Sequence, residues 1–228
     1  MSRGLGDVYK RQITCGYGVD DPDKEHHFKT ATEDVTKAYA YKTALALNAD
    51  YSMVSVSGYG IISGFTNDGN KIPQQTIPQY YDKLGFSYNK FADSITVSET
   101  EWDFERYKPD IIVINLGTND MSYATTDERK AEFEDGYLDF LKKVRSLNSD
   151  SYIFQTYGVM GTSLEENIEN VRRKYMSETG DERITFIPLT MQNEDADGIV
   201  ADWHPSPKTH SLVSQKVTAA IKETLGYK

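Results

Sequence analysis

Residues 109–120 read PDIIVINLGTND, and this stretch decides the fold class. A proline and an aspartate introduce residues 111–116, a largely apolar run. Such a run is typical of a strand that is buried on both faces, as in a parallel sheet. Residues 117–120 then supply glycine, asparagine and aspartate, which favour a turn. The stretch therefore predicts a buried parallel strand that runs into a turn.

Before this strand, the pattern predicts one helix, one strand and a long irregular region. Apolar residues at helical spacing predict a helix over residues 31–47. Residues 51–56 are short and β-branched, so they predict a strand that runs into a glycine turn at residues 57–60. Residues 61–100 contain prolines, glycines and amides, and we interpret them as loops with a short helix near residues 77–84.

After this strand, the pattern of strand followed by helix repeats. Asp127 is a candidate cap for the next helix, and residues 152–157 predict the next strand. Ser163, with a glutamate three residues later, predicts a capping box at the start of another helix. Residues 184–189 predict the last strand, and Ser206 before a proline predicts the cap of the final helix.

This alternation predicts an α/β fold, a three-layer α/β/α sandwich around a mostly parallel sheet. In such sheets, ligands bind at the carboxyl ends of the strands. The rule selects four places as candidates for the site. They are residues 13–18, residues 57–60, residues 117–120 and the loop that ends at His204.

Composition narrows the possible functions. The 228 residues fit one domain, and their 25 Lys and Arg against 35 Asp and Glu give a net charge of −10. An acidic chain without a basic stripe argues against binding to nucleic acid or to an anionic membrane. The lone cysteine, Cys15, excludes a disulfide framework and a zinc site built from several thiolates. The apolar runs are too short for a transmembrane helix.

The N-terminus differs in character from the rest of the chain. Residues 1–12 read MSRGLGDVYKRQ and have neither the apolar centre of a signal peptide nor the apolar run of a buried strand. Residues 13–18, ITCGYG, are typical of a loop that follows a strand. We therefore expect residues 1–12 to be a non-native leader and the first strand to be missing or degraded. Residues 8–13 are expected to supply at best a short, poor strand.

The segment Asp202-Trp203-His204-Pro205 carries the strongest chemical signal. His204 is a candidate general base, with Asp202 or a nearby backbone carbonyl holding its tautomer. The alternative is an aspartate that caps a helix beside a structural histidine. His210 lies at helical spacing from residues 206–207, where we expect a solvated helix face rather than a metal ligand. His26 and His27 lie in a charged stretch, and we interpret them as surface residues.

Two turns could stabilise a developing oxyanion. Asn119 offers a side-chain amide after the buried strand, although an ordinary turn is the alternative. Gly58 could present its backbone N–H, because a glycine allows close approach. Ser57 could instead be a nucleophile on a tight turn, but the surrounding sequence is not the Gly-x-Ser-x-Gly of a nucleophile elbow. We favour the backbone role of Gly58.

Four ordered blocks together resemble the SGNH (GDSL-like) hydrolases. The nearer resemblance is to carbohydrate esterase family two, the acetyl esterases of plant polysaccharides. The resemblance implies that residues 13–228 form an SGNH-type esterase domain, with His204 as the catalytic base and with Gly58 and Asn119 as the oxyanion donors. The blocks are ITCGYG at 13–18, VSVSGYGI at 54–61, INLGTND at 114–120 and DWHP at 202–205.

Two departures from the family pattern concern the catalytic residues. The family's nucleophilic serine falls at position 12, where this chain has Gln12, preceded by Lys10 and Arg11 instead of Gly-Asp. Glutamine cannot form an acyl-enzyme, so we expect this chain to be impaired as written. The wider superfamily places its acid three residues before the histidine, whereas Asp202 lies two residues before His204.

The resemblance implies a carbohydrate O-acetyl esterase that removes acetyl groups from plant polysaccharides such as xylan. Its partner would be an acetylated polysaccharide or oligosaccharide, and it implies neither a metal nor an organic cofactor. Trp203, Trp102 and Tyr17 are candidates for a sugar-facing wall, with burial as the alternative. Family habit implies a secreted or cell-surface bacterial protein with a β-sandwich domain ahead of the esterase domain.

Three other functions remain open at this point. A non-catalytic carbohydrate-binding protein would keep the cleft without the nucleophile, and it predicts sugar binding without turnover. A hydrolase that uses Ser57 predicts loss of activity in Ser57→Ala. A purely structural domain predicts neither binding nor turnover.

Overall fold

A five-stranded parallel sheet forms the centre of the molecule, with strand order β2-β1-β3-β4-β5. The computed structural model describes the backbone of residues 3–10, 12–86 and 95–227, and side chains from residue 13 onward. The strands are β1 (Arg3–Lys10), β2 (Ala49–Ser55), β3 (Ile111–Asn115), β4 (Tyr152–Val159) and β5 (Ile184–Met191). A small antiparallel ribbon pairs β6 (Ile199–Val200) with β7 (His204–Pro205).

Helices cover both faces of the sheet, which confirms the predicted three-layer α/β/α sandwich. Helices α3 and α4 pack against each other on one face, and α2 and α6 do so on the other. Within the described ranges, none of the helices is long and apolar enough to cross a bilayer. The helices are α1 (Gln12–Cys15), α2 (Tyr39–Leu47), α3 (Asp127–Leu147), α4 (Glu165–Thr179), α5 (Glu194–Asp197) and α6 (Pro207–Leu225).

Strand β3 joins the two hydrophobic cores. All five of its residues are buried. Ile112 and Ile114 belong to the core under α3 and α4, whereas Ile111 and Val113 belong to the core under α2 and α6. Successive side chains of a strand point to opposite faces, so the continuous apolar run serves both cores at once. The interpretation of residues 111–116 as a strand buried on both faces is thus confirmed.

The expectation that the first strand is missing is wrong in one respect, because Arg3–Lys10 occupies that position between β2 and β3. Its register shifts against β2 between Leu5 and Val8, and against β3 between Gly6 and Tyr9. The strand also lies earlier than the expected residues 8–13. Backbone groups can complete a parallel ladder without an apolar side-chain pattern, which is why the pattern did not indicate this strand.

The helix predicted over residues 31–47 begins only at Tyr39. Two short 3-10 turns, Thr30–Thr32 and Val35–Lys37, replace its first part. The Asp34 side chain accepts a hydrogen bond from the Thr36 N–H and so caps the second turn. Aspartate favours such local bonds over a helix interior, which explains the later start.

The three predicted helix caps have different outcomes. Ser206 caps α6 as predicted, accepting from the backbone N–H three residues later. Asp127 is the first residue of α3, and Thr126 before it is the cap. The predicted capping box at Ser163 is wrong: α4 begins at Glu165, and its N-cap residue is Leu164, which makes no side-chain hydrogen bond. There the turn closes through the backbone, because the Glu165 N–H donates to the Thr162 carbonyl at 3.0 Å.

Candidate active site

An open cleft of about 580 Å³ lies at the carboxyl edge of the sheet, as the strand-end rule predicts. Its walls come from the loops after α1, β2, β3 and β4 and from the segment that ends at β7. The cleft is lined both by predicted site residues and by residues that the sequence analysis did not identify. The described residues that line it are Tyr17, His27, Phe28, Phe65, Thr118, Asn119, Met121, Met160, Asp202 and His204.

His204 is held in one tautomer by the backbone. Its side chain lines the cleft, yet the residue is only 4% exposed. The imidazole Nδ1 lies 3.2 Å from the carbonyl oxygen of Ala201. A carbonyl can only accept, so Nδ1 carries the proton and Nε2 is the nitrogen that can accept one. Of the two groups considered for orienting His204, the backbone carbonyl is therefore the one in contact with Nδ1.

The Asp202 carboxylate, the other group considered for orienting His204, bonds to three other donors. It accepts from the Tyr17 hydroxyl at 2.7 Å, from His27 Nδ1 at 2.9 Å and from the Phe28 N–H at 2.8 Å. Burial alone would raise its pKa, but these hydrogen bonds outweigh burial and lower the pKa below the ordinary value.

The backbone explains why Asp202 and His204 have different partners. Asp202 and Trp203 both adopt left-handed conformations, with φ of 50° and 64°. Such angles are uncommon outside glycine and produce a tight turn between Ala201 and His204. The turn brings the Ala201 carbonyl to the imidazole, while the Asp202 carboxylate contacts residues 17, 27 and 28.

Tyr17 connects Asp202 to His204 by stacking. Its ring lies 4.0 Å from the His204 ring and 4.5 Å from the Phe28 ring, measured between centroids. Burial and the hydrogen bond to Asp202 both raise the pKa of Tyr17, so its hydroxyl remains a proton donor at neutral pH. The structure therefore places Tyr17 in the cleft wall, and its ring orients the imidazole.

Asn119 projects its amide at the cleft from the turn after β3. The residue is 3% exposed, and Nδ2 donates to the Tyr59 carbonyl at 2.7 Å. A side-chain amide carries two N–H bonds, so one remains beyond the bond to Tyr59. The fixed amide has the form of an oxyanion donor, and the same residue also serves the turn by accepting from Ser122 Oγ at 2.7 Å.

Gly58 has a conformation that requires glycine. Its φ is +80°, and a Cβ there would meet only Gln75 Oε1, at 4.0 Å. Conformation, rather than crowding, therefore selects glycine. The Gly58 carbonyl accepts from the N–H of Phe65, a residue that lines the cleft, at 2.9 Å. Ser57 is exposed and is not among the described cleft-lining residues, nor is Gly58 itself.

Asp120 links the turn that contains Asn119 to residues 61–63, which follow the Gly58 turn. The sequence analysis did not identify this role of Asp120. Its buried carboxylate accepts from the backbone N–H groups of Ile61, Ile62 and Ser63 at 2.9, 2.8 and 3.2 Å. Burial raises the pKa of this carboxyl, and the three N–H bonds oppose that rise. From the sequence alone, Asp120 is an ordinary turn residue, because its hydrogen-bond donors lie about sixty positions away.

Other cleft residues also gave no usable sequence signal. His27, interpreted as plain surface, lines the cleft through its bond to Asp202. Thr118 Oγ1 is buried without a hydrogen-bond partner in the described part of the chain, beside Asn119. Met160 follows Val159, a buried β-branched residue with φ of 46°. Such strain in a β-branched residue is typical of functional sites.

The remaining predicted residues lie away from the described cleft walls. Trp203 is half exposed, and Lys24 Nζ lies 4.3 Å from its ring centroid. Trp102 is half-buried, and its backbone N–H donates to the Asp82 backbone carbonyl at 2.9 Å.

The expectation of a solvated His210 is wrong. The residue is 1% exposed, because α2 packs over this face of α6. Its Nδ1 accepts from the Tyr39 N–H at 3.2 Å, which satisfies a donor at the first residue of α2. Burial lowers the pKa of His210 to about 3, so it is neutral at physiological pH.

Gln12, the residue at the expected nucleophile position, begins α1 just after the end of β1. The role of this position as the nucleophile's place, which the resemblance implies, stays a prediction. The Gln12 side chain lies outside the described residues, so the consequence of the replacement stays a prediction.

This chain is similar to one protein family, to curated proteins and to solved structures. Residues 13–212 match the GDSL-like lipase/acylhydrolase family. The chain is 32% identical over 224 residues to the cellulase/esterase CelE of Acetivibrio thermocellus, across 94% of this chain and 25% of that protein. It is 25% identical to the solved acetyl xylan esterase of the rumen bacterium Butyrivibrio proteoclasticus, with a TM-score of 0.90, across 100% of this chain and 65% of that one.

A second solved structure extends the likeness to a sugar complex. It is a family two carbohydrate esterase from Clostridium thermocellum in complex with cellohexaose. The identity is 30% and the TM-score 0.82, across 100% of this chain and 66% of that chain. The chain thus spans a quarter of its curated relative and about two thirds of each solved chain. These likenesses confirm the resemblance that the four sequence blocks indicated.

Proposed function

This chain belongs to the GDSL-like lipase/acylhydrolase family, and we propose that its cleft is the site of a carbohydrate O-acetyl esterase. One observation carries the proposal. His204, with Nδ1 bonded to a backbone carbonyl, and Asn119, with its amide fixed by Tyr59, line the same cleft. A base with a defined lone pair beside a fixed amide donor is the arrangement that acyl transfer needs.

The chemistry follows from these groups when position 12 carries serine. The serine Oγ attacks the acetyl carbonyl carbon while its proton passes to His204 Nε2. The Asn119 amide and the Gly58 N–H stabilise the resulting oxyanion, each by about 3 kcal/mol. Nε2 then returns the proton to the sugar oxygen as the ester bond breaks. Water attacks the acetyl-enzyme by the same route, releasing acetate and restoring serine.

Gln12 alters this outcome in the chain as written. Glutamine has no hydroxyl to acylate, so the chain binds acetylated oligosaccharide without appreciable turnover. A second candidate function, non-catalytic carbohydrate binding, is favoured by the same replacement. The third, hydrolysis through Ser57, is less favoured because Ser57 is not among the residues described in the cleft wall.

Hydrolysis of 4-nitrophenyl acetate by three proteins tests the proposal. The first is the chain as written, and the second is the restored variant, which combines Lys10→Gly, Arg11→Asp and Gln12→Ser. The third adds His204→Ala to the restored variant. We expect activity only in the second, with loss of at least about 100-fold on removal of the base. Equal activity in the first two proteins would contradict the assigned nucleophile position and redirect the test to Ser57→Ala.

Acetate release from acetylated xylo-oligosaccharide by the restored variant then tests the substrate class. An active site that cleaves 4-nitrophenyl acetate but not the oligosaccharide would contradict the carbohydrate proposal while leaving the esterase proposal in place. If the restored variant is inactive but the chain as written binds the oligosaccharide, non-catalytic binding is the better function.

A further inference from the structure

His27 is the most exposed titratable side chain of the described cleft wall. We propose that it binds a hydroxyl group of the bound sugar and that Asp202 is the residue that positions it. Its side chain is 94% exposed and lines the cleft. The inference rests on the proposed function, because it names a residue that holds the carbohydrate of that site.

The bond to Asp202 orients the imidazole of His27. Nδ1 lies 2.9 Å from Asp202 Oδ1, and the carboxylate can only accept, so Nδ1 is the protonated nitrogen. Nε2 then lies on the opposite edge of the ring, on a side chain that is almost fully accessible. In the neutral ring Nε2 accepts a hydrogen bond from a hydroxyl, and in the charged ring it donates one. Either form can therefore bind a sugar hydroxyl.

The neighbouring residue supplies the apolar part of such a binding surface. Phe28 is partly exposed in the same cleft, and its ring stacks on Tyr17. Phe65, half exposed, lines the cleft as well. Ligand sites commonly combine aromatic faces with a few fixed polar groups that set orientation. His27, bonded to Asp202, lines the same cleft as these two aromatic side chains.

Asp202 positions His27 by bonding to several groups of the loop that carries it. Besides the bond to the imidazole, its carboxylate accepts from the Phe28 N–H, and its own N–H donates to the His26 carbonyl at 2.9 Å. The preceding Ala201 N–H donates to the Asp21 carbonyl at 3.0 Å. Ala201 and Asp202 thus join the turn that presents His204 to the loop that presents His27. Because Asp202 makes the contacts to residues 26–28, we assign it as a positioning residue for the substrate.

The adjacent histidine offers a matched control. His26 is about half exposed, but Nδ1 bonds to Asp21, and the residue is not among those that line the cleft. His26→Ala and His27→Ala therefore remove the same group from neighbouring positions. Only the second removes it from the cleft.

Calorimetric titration of the chain as written with acetylated xylo-oligosaccharide, and separately with cellohexaose, tests the proposal. We expect His27→Ala to raise Kd about three- to tenfold, the effect of one neutral hydrogen bond, and His26→Ala to leave it unchanged. His27→Gln, which keeps a polar group, should recover part of the affinity. Long-range ¹⁵N NMR should show the His27 Nε2 resonance shifting on ligand addition, which a purely structural role would not produce.

Asp202→Asn tests the positioning role separately. Asparagine has one acceptor oxygen, which can keep the Tyr17 and Phe28 donors on the Oδ2 side but then leaves no acceptor for His27 Nδ1–H. Asp202→Asn should therefore raise Kd about as much as His27→Ala does. The double variant should add little, because both changes affect one contact. Binding that is unchanged in His27→Ala, with no Nε2 shift, would overturn the inference while leaving the proposed function intact. Absence of binding by the chain as written, together with an inactive restored variant, would overturn both.

Discussion

The Tyr17 hydroxyl donates to Asp202 Oδ2 at 2.7 Å while the Tyr17 ring stacks on His204 at 4.0 Å. The acidic residue of the Asp-x-His segment therefore reaches the imidazole through a tyrosine ring. The hydrogen bond to Nδ1 comes from the chain itself, at the Ala201 carbonyl. In this arrangement a backbone carbonyl contacts Nδ1, and the Asp202 carboxylate holds the tyrosine ring that packs on the base.

Tyr17→Phe separates these two roles, because it keeps the ring and removes the hydroxyl. We expect the pKa of Asp202 to rise toward its ordinary value of 3.8, since one of its donors is lost. The free energy of unfolding at pH 7 should fall by about 1 kcal/mol. A carboxyl whose pKa is lowered by folding stabilises the fold at pH values above its pKa in the unfolded chain, 3.8. The difference in unfolding free energy between Tyr17→Phe and the parent chain should therefore shrink as the pH falls below 3.8.

Carboxyl ¹³C NMR and urea unfolding at two pH values measure these effects. Tyr51→Phe is the control, because Tyr51 is an exposed tyrosine on β2 whose ring contacts Tyr41. An Asp202 pKa that stays unchanged in Tyr17→Phe would show that this hydrogen bond does not stabilise the carboxylate.

His210 should make the fold sensitive to acid. Its pKa is about 3 in the folded protein, against an ordinary value of 6.5, because burial disfavours the charged ring. The unfolded chain therefore binds a proton more readily, and the free energy of unfolding decreases as the pH falls from 6.5 toward 3. Between pH 6.5 and pH 4.5 this one residue should lower the free energy of unfolding by about 2 kcal/mol.

Urea unfolding of His210→Gln at pH 7 and at pH 4.5 isolates this contribution. Glutamine can still accept from the Tyr39 N–H but does not titrate, so the loss between the two pH values should be smaller than in the parent chain. His26→Gln, at an exposed position, should retain the full loss. Identical pH dependence in the parent and His210→Gln would show that His210 is not held neutral.

The sequence predicted those elements whose signal is local. Strand β3 is a short apolar run bounded by turn residues, and Ser206 is a cap followed by proline; both are where the pattern indicates. Asn119 and His204 were identified because their blocks follow the expected order, and the structure brings both to one cleft. Strand β1 was missed because its pairing depends on two neighbouring strands rather than on its own residues.

The parts that the sequence could not indicate depend on contacts between distant segments. His27 and Asp202 are 175 positions apart, and nothing in the charged stretch around His27 indicates that a carboxylate will bind it. His210 is buried only because α2 covers α6. The partner of His204 Nδ1 depends on two left-handed residues, neither of which is a glycine or an asparagine that would indicate such a turn.

Asp120→Asn should weaken the contact between the turn that contains Asn119 and residues 61–63, which follow the Gly58 turn. Oδ1 accepts from all three backbone N–H groups and Oδ2 accepts from Ile61 as well, whereas asparagine replaces one oxygen by an NH₂ group and removes the negative charge. We expect the free energy of unfolding to fall by about 3 kcal/mol, because buried N–H groups lose a charged partner. Amide hydrogen exchange at residues 61–63 should accelerate.

Asp103→Asn is the matched control for Asp120→Asn. Its carboxylate also accepts from a backbone N–H, that of Glu105 at 3.0 Å, but on an exposed side chain. The change should leave both the stability and the exchange of residues 61–63 within error. Unaltered amide hydrogen exchange at residues 61–63 in Asp120→Asn would contradict the inference that this carboxylate holds the segment in place.

Gly58→Ala tests whether the conformation of the proposed oxyanion turn matters for activity. With φ at +80° and free space around the missing Cβ, alanine should cost about 1 kcal/mol through backbone strain alone. In the restored variant, relief of that strain should also turn the Gly58 N–H away from the oxyanion and lower kcat about 10- to 100-fold. KM should change little, because the donor acts in the transition state.

Gly180→Ala supplies the same strain away from the cleft. Gly180 ends α4 with φ of +68°, and a Cβ there would meet nothing within 4 Å. In the restored variant, Gly180→Ala should lose similar stability and keep full esterase activity. If the two alanine variants lose activity equally, the loss reflects stability, and Gly58 has no special role. If only Gly58→Ala loses kcat, the backbone N–H of this turn takes part in the reaction.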